Sequence, residues 1–397
     1  MLKKLSRMVL AGCLLGASLF ICLGHTYAVE AEQDLAPHAV SAVLMDAGTG
    51  KVLFEKNPHQ SLPPASITKL MTMLLVMEAV EQGKITLKDP VRVSDHAASM
   101  GGTQIFLEPG EQMSVHDMLK GVAIGSANDA SVALAEFLGG TEGNFVRMMN
   151  ERARQLGMKH THFQNANGLP AKNHYSSAYD IALLSREILK YPLITKFTGM
   201  YQDYLRQGSK KPFWLVNTNK LVRYYQGVDG LKTGYTSEAR FCLAATANRE
   251  GLRLVSVVMG EPDAKTRNAE VAGMFDYAFN LYTSHTLYKK GDVVAVKKIE
   301  KGDPRTLVIK ANHPITILVK KGEHPQSYKK KWTWTTLQAP IKPGQSLGKM
   351  QIEKEGQVVQ ELELVSTVEI KRANLWTSIK QAVGEVLFLP DELKETE

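Results

Sequence analysis

Between residues 38 and 56, apolar and polar positions alternate on both sides of Asp46-Ala47-Gly48-Thr49-Gly50, the pattern of two strands joined by a tight turn. Pro63-Pro64 interrupts the chain, and the period then changes. From 66 to 82, Leu70, Met73, Leu74, Met77 and Val80 recur at helical spacing, and Gly83 supplies the stop. The same spacing predicts helices over 115–123, 127–138, 142–156 and 178–190, with a polar, Gly- and Asn-rich loop over 157–178. Strands return at 228–235, 240–247 and 252–259, the last two joined by the turn Asn248-Arg249-Glu250-Gly251, and a helix follows over 264–283. Strands open and close this region and helices fill its middle. That is an α/β domain of the α+β kind, a sheet with a helical insert, and not the strict alternation of a doubly wound fold.

The texture changes near residue 286. Short β-branched runs at 293–299, 306–310, 315–319, 332–337, 348–353 and 357–365 are separated by Gly-Asp, Asn-His-Pro, Gly-Glu and Pro-Gly, which predicts a small all-β domain over 286–366. Residues 367–390 read as an amphipathic helix, with Leu375, Ile379, Ala382, Val383, Val386 and Leu387 on one face and Trp376 at its edge. It is too charged to span a bilayer and suits an interfacial position, with Lys371-Arg372 flanking it.

At the other end, Lys3, Lys4 and Arg7 precede an apolar run from Met8 to Leu23, and Thr26-Tyr27-Ala28 offers small residues at the cleavage positions. Residues 1–28 are therefore expected to be a secretory signal peptide, which places the mature chain, 29–285 and beyond, outside the cytoplasm. Of the three cysteines only Cys242 remains after residue 28, in an apolar strand, so no intrachain disulfide is available and a buried structural thiol is expected. The charge is uneven. Residues 286–350 carry 14 basic and 4 acidic side chains, whereas 29–285 balance. A basic module on an exported chain suits an anionic surface such as lipid headgroups or wall polymer, and nucleic acid is an unlikely partner there.

Three short motifs carry chemistry. Ser66-Ile67-Thr68-Lys69 sits at a helix start, where i, i+3 spacing puts hydroxyl and amine on one face. A serine attacks only when a base takes its proton, and a lysine serves as base only when burial or a neighbouring cation keeps it neutral. Ser66 read alone could equally be a helix cap. Ser126-Ala127-Asn128 opens the next helix, with a hydroxyl able to relay a proton and an amide able to hold a peptide backbone. Lys232-Thr233-Gly234 ends a strand, where Gly admits a ligand to the edge and Lys with Thr can hold a carboxylate. Ser-x-x-Lys, Ser-Asp-Asn and Lys-Thr-Gly together are a known signature of penicillin-binding proteins and class A β-lactamases, here with Ala127 at the centre of the second motif. Other matches lack the context. Ser327-Tyr328-Lys329-Lys330 and Gly344-Gln345-Ser346-Leu347-Gly348 fall in the β domain, and His160 with His162 has no third ligand nearby, so no metal and no cofactor are expected.

On these residues the chain resembles the low-molecular-mass penicillin-binding proteins, the serine-type D-alanyl-D-alanine carboxypeptidase family, over 29–390. Pro64-Ala65-Ser66-Ile67-Thr68-Lys69, Ser126-Ala127-Asn128-Asp129, Asn165-Ala166-Asn167-Gly168-Leu169 with His174-Tyr175-Ser176-Ser177-Ala178-Tyr179-Asp180, and Lys232-Thr233-Gly234-Tyr235-Thr236 carry the likeness. It implies a β-lactamase-like transpeptidase domain with an antiparallel sheet. It implies hydrolysis of the terminal D-alanine of peptidoglycan stem pentapeptides, in cell-wall biogenesis, through an acyl-enzyme on Ser66. Lys69 would be the base and Ser126 a proton relay. Asn128, Lys232, Thr233, Gly234 and Tyr235 would bind substrate, with the N–H groups of Ser66 and Tyr235 as oxyanion hole. β-Lactams would be covalent inhibitors, and the last helix would hold the enzyme on the outer face of the cell membrane. The family usually has Gly where this chain has Arg240, which is expected to alter substrate preference. A D,D-endopeptidase or an inactive wall-binding homologue are the alternatives. A β-lactamase is disfavoured because no Glu-x-x-Leu-Asn stretch is present.

Overall fold

The structure, a computed structural model, describes residues 34–380. The expected signal peptide and residues 381–390 of the expected terminal helix lie outside the described residues. Asp46 closes the first turn. Its carboxylate accepts from the Thr49 N–H at 2.8 Å and the Thr49 hydroxyl at 2.5 Å, reversing the chain between β1 (Ser41–Asp46) and β2 (Val52–Lys56). β3 (Val228–Thr236), β4 (Arg240–Arg249) and β5 (Leu252–Glu261) complete an antiparallel sheet in the order β2-β1-β5-β4-β3. Sheet order and chain order differ. The chain leaves at β2 and returns on the opposite edge, so β3 has one side of its backbone open.

Alternate residues of the sheet feed two cores. Val43, Met45, Ala244, Val255 and Val257 pack with α1 (Lys69–Glu81) and the insert. Ala42, Leu44, Leu243, Ala245 and Leu254 pack against Met274, Phe275 and Ala278 on the opposite face. The insert contributes α2 (Val115–Lys120), α3 (Asn128–Gly139), α4 (Glu142–Gln155) and α5 (Ala178–Ile188), and α6 (Ala264–Leu281) covers the far face. The pattern placed one apolar face on α1, but the whole circumference from Lys69 to Met77 is buried, including Met71, Thr72, Leu75 and Val76. An enveloped helix has no solvent side to shape its pattern. Two short hairpin pairings were not legible, Pro90–Arg92 with Gln112–Ser114 and Gln202–Leu205 with Phe213–Val216. They are too brief to show a period.

The β domain runs directly on from α6 as β6 (Tyr282–Tyr288), β7 (Val293–Lys298), β8 (Thr306–Lys310), β9 (Ile315–Lys320), β10 (Tyr328–Trp334), β11 (Ser346–Lys354) and β12 (Gln357–Val365). Leu307, Ile309, Ile341, Leu347 and Met350 form its centre. β10 starts at Tyr328, four positions before the expected 332. Lys329–Lys331 hide it, because three consecutive lysines show no alternation although Lys329 pairs with Glu353 and Lys331 with Gln351. The terminal segment also needs correction. Ile370 is buried and bridged to Ile341, and Lys371–Arg372 pair with Gly302–Asp303, so these residues close the β domain and are not helical. Helical backbone begins at Leu375, where the Asn374 side chain accepts from the Thr377 N–H at 2.7 Å.

Arg240 opens β4 with φ of 56°, in the left-handed region, and its side chain is exposed. The glycine expected at this place is thus explained by the turn, since a Cβ is strained there. Arg240→Gly should stabilise the fold by about 0.5–1 kcal/mol, strain relief outweighing the added freedom of the unfolded chain. Urea titration of both proteins checks this, and a lower midpoint for Arg240→Gly would refute it.

Candidate active site

Three elements bring the motifs together. A single 3₁₀ turn, Ala65–Thr68, delivers Ser66 to the mouth of α1 and Lys69 to its first position. Neither Ser66 nor Ser126 is the N-cap of a helix. The helix-start positions are Thr68 and Ala127, and neither makes a side-chain cap, so both hydroxyls stay available. After α2 the chain widens into a π turn, Gly121–Gly125. Ser126 then takes a left-handed conformation, φ 65°, and Asn128 starts α3. Such a single-turn π segment beside a reactive group is a recurrent functional device. β3 supplies the third wall with its open edge.

Lys69 is the centre. Its Nζ lies 2.9 Å from Ser66 Oγ, 2.7 Å from Asn128 Oδ1 and 2.5 Å from the Asn167 carbonyl oxygen. Burial pushes its pKa well below the ordinary lysine value, the charge of Lys232 pushes the same way, and Asp129 opposes. Asp129 is itself occupied, accepting from the N–H groups of Ile105, Leu107 and Ala130. A neutral amine has two N–H bonds and one lone pair. Asn128 and Asn167 offer oxygens that only accept, so they take the two N–H bonds and leave the lone pair facing the Ser66 hydroxyl. Asn128 Nδ2 in turn donates to the Gly101 carbonyl at 2.7 Å, which fixes the amide's orientation.

Lys232 is buried at 1% exposure, and burial, with the Arg267 charge second, lowers its pKa to about 7. Its Nζ donates to the Thr233 carbonyl at 2.9 Å, while the Thr233 hydroxyl donates to Thr218 Oγ1 at 2.7 Å. Ser126 Oγ is hydrogen-bonded to neither lysine. Gly234 lets β3 approach the nucleophile turn, since a Cβ there would stand 2.9 Å from the Pro64 carbonyl oxygen. Gly168 (φ 86°) does the same from the other side, where a Cβ would fall within 1.9 Å of the Ala65 carbonyl oxygen. Tyr235, at 58% exposure, stacks on Phe241 with ring centroids 4.4 Å apart.

Some participants were not assigned by the sequence. Asn167 acts through a backbone oxygen, which no side-chain letter announces. His174 holds the 157–178 loop. Its Nδ1 accepts from the Gln164 N–H, so the protonated Nε2 donates to Thr68 Oγ1 at 2.8 Å, and burial lowers its pKa to about 4. Arg267, buried in the first turn of α6, lies in a stretch without a motif. Cys242 is buried and donates weakly to the Ala239 carbonyl, with its thiol pushed up to about 11 by burial. The two stray motifs stay apart from the site. Ser327 Oγ donates to the His324 carbonyl, and Ser346 begins β11.

A serine beside a buried lysine, facing a Lys-Thr-Gly strand edge, defines a serine acyl-transfer hydrolase of the penicillin-binding class. Residues 28–263 match the D-alanyl-D-alanine carboxypeptidase family, and residues 282–372 match the C-terminal domain of penicillin-binding protein 5. The chain is 51% identical over 353 residues to the D-alanyl-D-alanine carboxypeptidase DacF of Bacillus subtilis, covering 89% of this chain and 91% of that one. Penicillin-binding protein 5 of Haemophilus influenzae shares the fold with a TM-score of 0.67 and 32% identity, over 84% of this chain and 98% of that one. Penicillin-binding protein D2 of Listeria monocytogenes, solved in an ampicillin-bound form, aligns with a TM-score of 0.56 and 31% identity, over 61% and 98%. The chain belongs to the D-alanyl-D-alanine carboxypeptidase family and is a serine-type hydrolase of that kind.

Proposed function

We propose that this enzyme removes the terminal D-alanine of peptidoglycan stem pentapeptides with Ser66 as nucleophile and Lys69 as its base. The carrying observation is the buried Lys69 amine 2.9 Å from Ser66 Oγ, its hold on a proton weakened by burial and by the charge of Lys232, so that in the neutral form its free electron pair is the one group left to face the hydroxyl. Ser66 Oγ bonds to the carbonyl carbon of the penultimate D-alanine while its proton moves to Lys69 Nζ. The N–H groups of Ser66 and Tyr235 hold the oxyanion. Collapse breaks the C–N bond, and the departing amine takes the proton that Lys69 received, relayed by Ser126 and Lys232, which returns Lys69 to its neutral form. Water, activated by Lys69, then cleaves the ester. Asn128 aligns the peptide, Lys232 and Thr233 hold the terminal carboxylate, and Gly234 lets the strand that carries them lie close against the nucleophile turn. β-Lactams acylate Ser66 by the same route.

Incubation of the mature chain with a stem pentapeptide should release one D-alanine, by mass, and Ser66→Ala should release none. Release only from a cross-linked peptide dimer would favour the endopeptidase instead. The two lysines also set a pH profile. Lys69 works neutral, so kcat/KM falls in acid as it gains a proton. Lys232 works charged, so kcat/KM falls above about 7 in the free enzyme as it loses one. The same peptide as its C-terminal amide should keep the acid limb and show a shallower alkaline one, because Lys232 then serves the relay alone. An alkaline limb equally deep with the amide would remove Lys232 from the carboxylate role.

We further propose that the chain is exported and rests on the outer face of the cell membrane. Supporting the membrane contact, Leu375, Trp376 and Ile379 are exposed on the helical turns that begin at Leu375. The mature chain should co-sediment with phosphatidylglycerol vesicles, and a Leu375→Ser, Trp376→Ser variant should bind several-fold less. Equal sedimentation of both proteins would sink the idea.

A further inference from the structure

The direction of the substrate follows from the order of groups along β3. The terminal carboxylate is held at Lys232 and Thr233 and the oxyanion at Tyr235, so the peptide runs antiparallel to the strand and its earlier residues lie toward Thr236 and Glu238. A groove opens there. A narrow neck of about 30 Å³ is bounded by Pro64 and Ala65, the two residues before the nucleophile, and by Thr236 and Glu238. It shares Pro63, Pro170, Ala171, His174 and Glu238 with a wider chamber of about 600 Å³, which adds Lys172 to its lining. An extended peptide advances about 3.3 Å per residue. On that spacing the residue just before the D-alanine pair falls at the neck, next to the mouth of the chamber.

The lining has a definite chemistry. Pro63 and Pro170 are apolar walls suited to a methylene chain. His174 is locked by its bonds to Thr68 and Gln164, which keeps that wall in place. Glu238 and Lys172 are both exposed, and neither has an ion-pair or hydrogen-bond partner among the described residues. An unpaired carboxylate over a groove of mixed polarity with two proline walls suits an ammonium on an aliphatic stem.

We propose that this groove is a subsite for a diamino acid at the third stem position, with Glu238 reading its side-chain ammonium and Lys172 reading a carboxylate where the diamino acid carries one. The inference rests on the carboxypeptidase reading above. It assigns Glu238 a specificity role and makes the enzyme sensitive to whether that ammonium is free, as in an uncross-linked stem, or acylated, as in a cross-link.

The test compares three pentapeptides that differ only at the third residue, which is lysine, Nε-acetyl-lysine or meso-diaminopimelate. D-Alanine release gives kcat/KM for each with the wild type, Glu238→Gln and Lys172→Gln. Ratios taken within one protein do not depend on how much of it is folded. The wild type should favour lysine over acetyl-lysine by roughly two- to fivefold, the factor of an exposed ion pair. Glu238→Gln should bring that ratio to about one, and Lys172→Gln should selectively lower the diaminopimelate-to-lysine ratio. A wild type indifferent to acetylation, or a ratio that survives Glu238→Gln, overturns the subsite while leaving the carboxypeptidase reading intact. A diaminopimelate-to-lysine ratio unchanged in Lys172→Gln removes the carboxylate half. No release from any peptide by the wild type overturns the underlying reading and the subsite with it.

Discussion

The site depends on keeping one amine dry. Lys69 is the first residue of a helix buried on every side, and the loss of hydration is the largest influence on its charge. A lysine in the same sequence position on a half-exposed helix would stay protonated and could only donate to Ser66. The enveloping of α1 by the sheet, by the insert and by the 157–178 loop is therefore part of the chemistry. The second cation contributes in the same direction. Lys232 approaches from β3 at the opposite wall of the cleft, and Arg267 presses on Lys232 in turn, so burial and like charge act together along one line of groups.

Much of this was legible in the chain because its letters are local. Ser66 and Lys69 are related by helical spacing, and the spacing held although the first turn is 3₁₀ and not α. The five sheet strands and the long helices showed their periods. What stayed hidden has a common cause, in that it belongs to backbone or to distant partners. The Asn167 oxygen is main chain, the left-handed turn at Ser126 has no spelling, and Arg267 reaches the site only because α6 packs behind the sheet. Periodicity misjudged α1 for the opposite reason, since it presumes a solvent side. It also let Ile370 pass as part of a helix, where it is the last residue to fill the β-domain core.

Arg240 shows how a departure from a family pattern can mislead. A large cation after the Lys-Thr-Gly strand suggests an electrostatic change at the carboxylate site. The register places Arg240 opposite Thr236, at the tip of the hairpin, whereas Lys232 pairs with Ala244 deep in the sheet. A glycine would answer a demand of the turn, and the arginine here is a matter of local strain. Glu238, two residues earlier on the same turn, is the residue whose charge faces a groove.

The nucleophile turn is strained as well, with Ala65 at φ 47°, and such a conformation costs on the order of 1–3 kcal/mol unless its surroundings fix it. Gly168 and Gly234 close on it from both sides, which they can do only without a Cβ. The loop that carries Gly168 is pinned to the helices at two levels, by His174 on Thr68 and by the Thr72 and Ser131 hydroxyls, each donating to the Ala166 carbonyl at 2.7 Å. The next residue in that loop is Asn167, whose carbonyl takes one of the Lys69 N–H bonds. The pins that hold the strained turn and the acceptor that orients the lone pair of the base thus sit on one short stretch of chain. A shift of the loop cannot loosen the nucleophile without also disturbing the base. That coupling explains why a polar, Gly-rich segment, the kind usually free to move over a surface, is packed here against the enzyme's central helix.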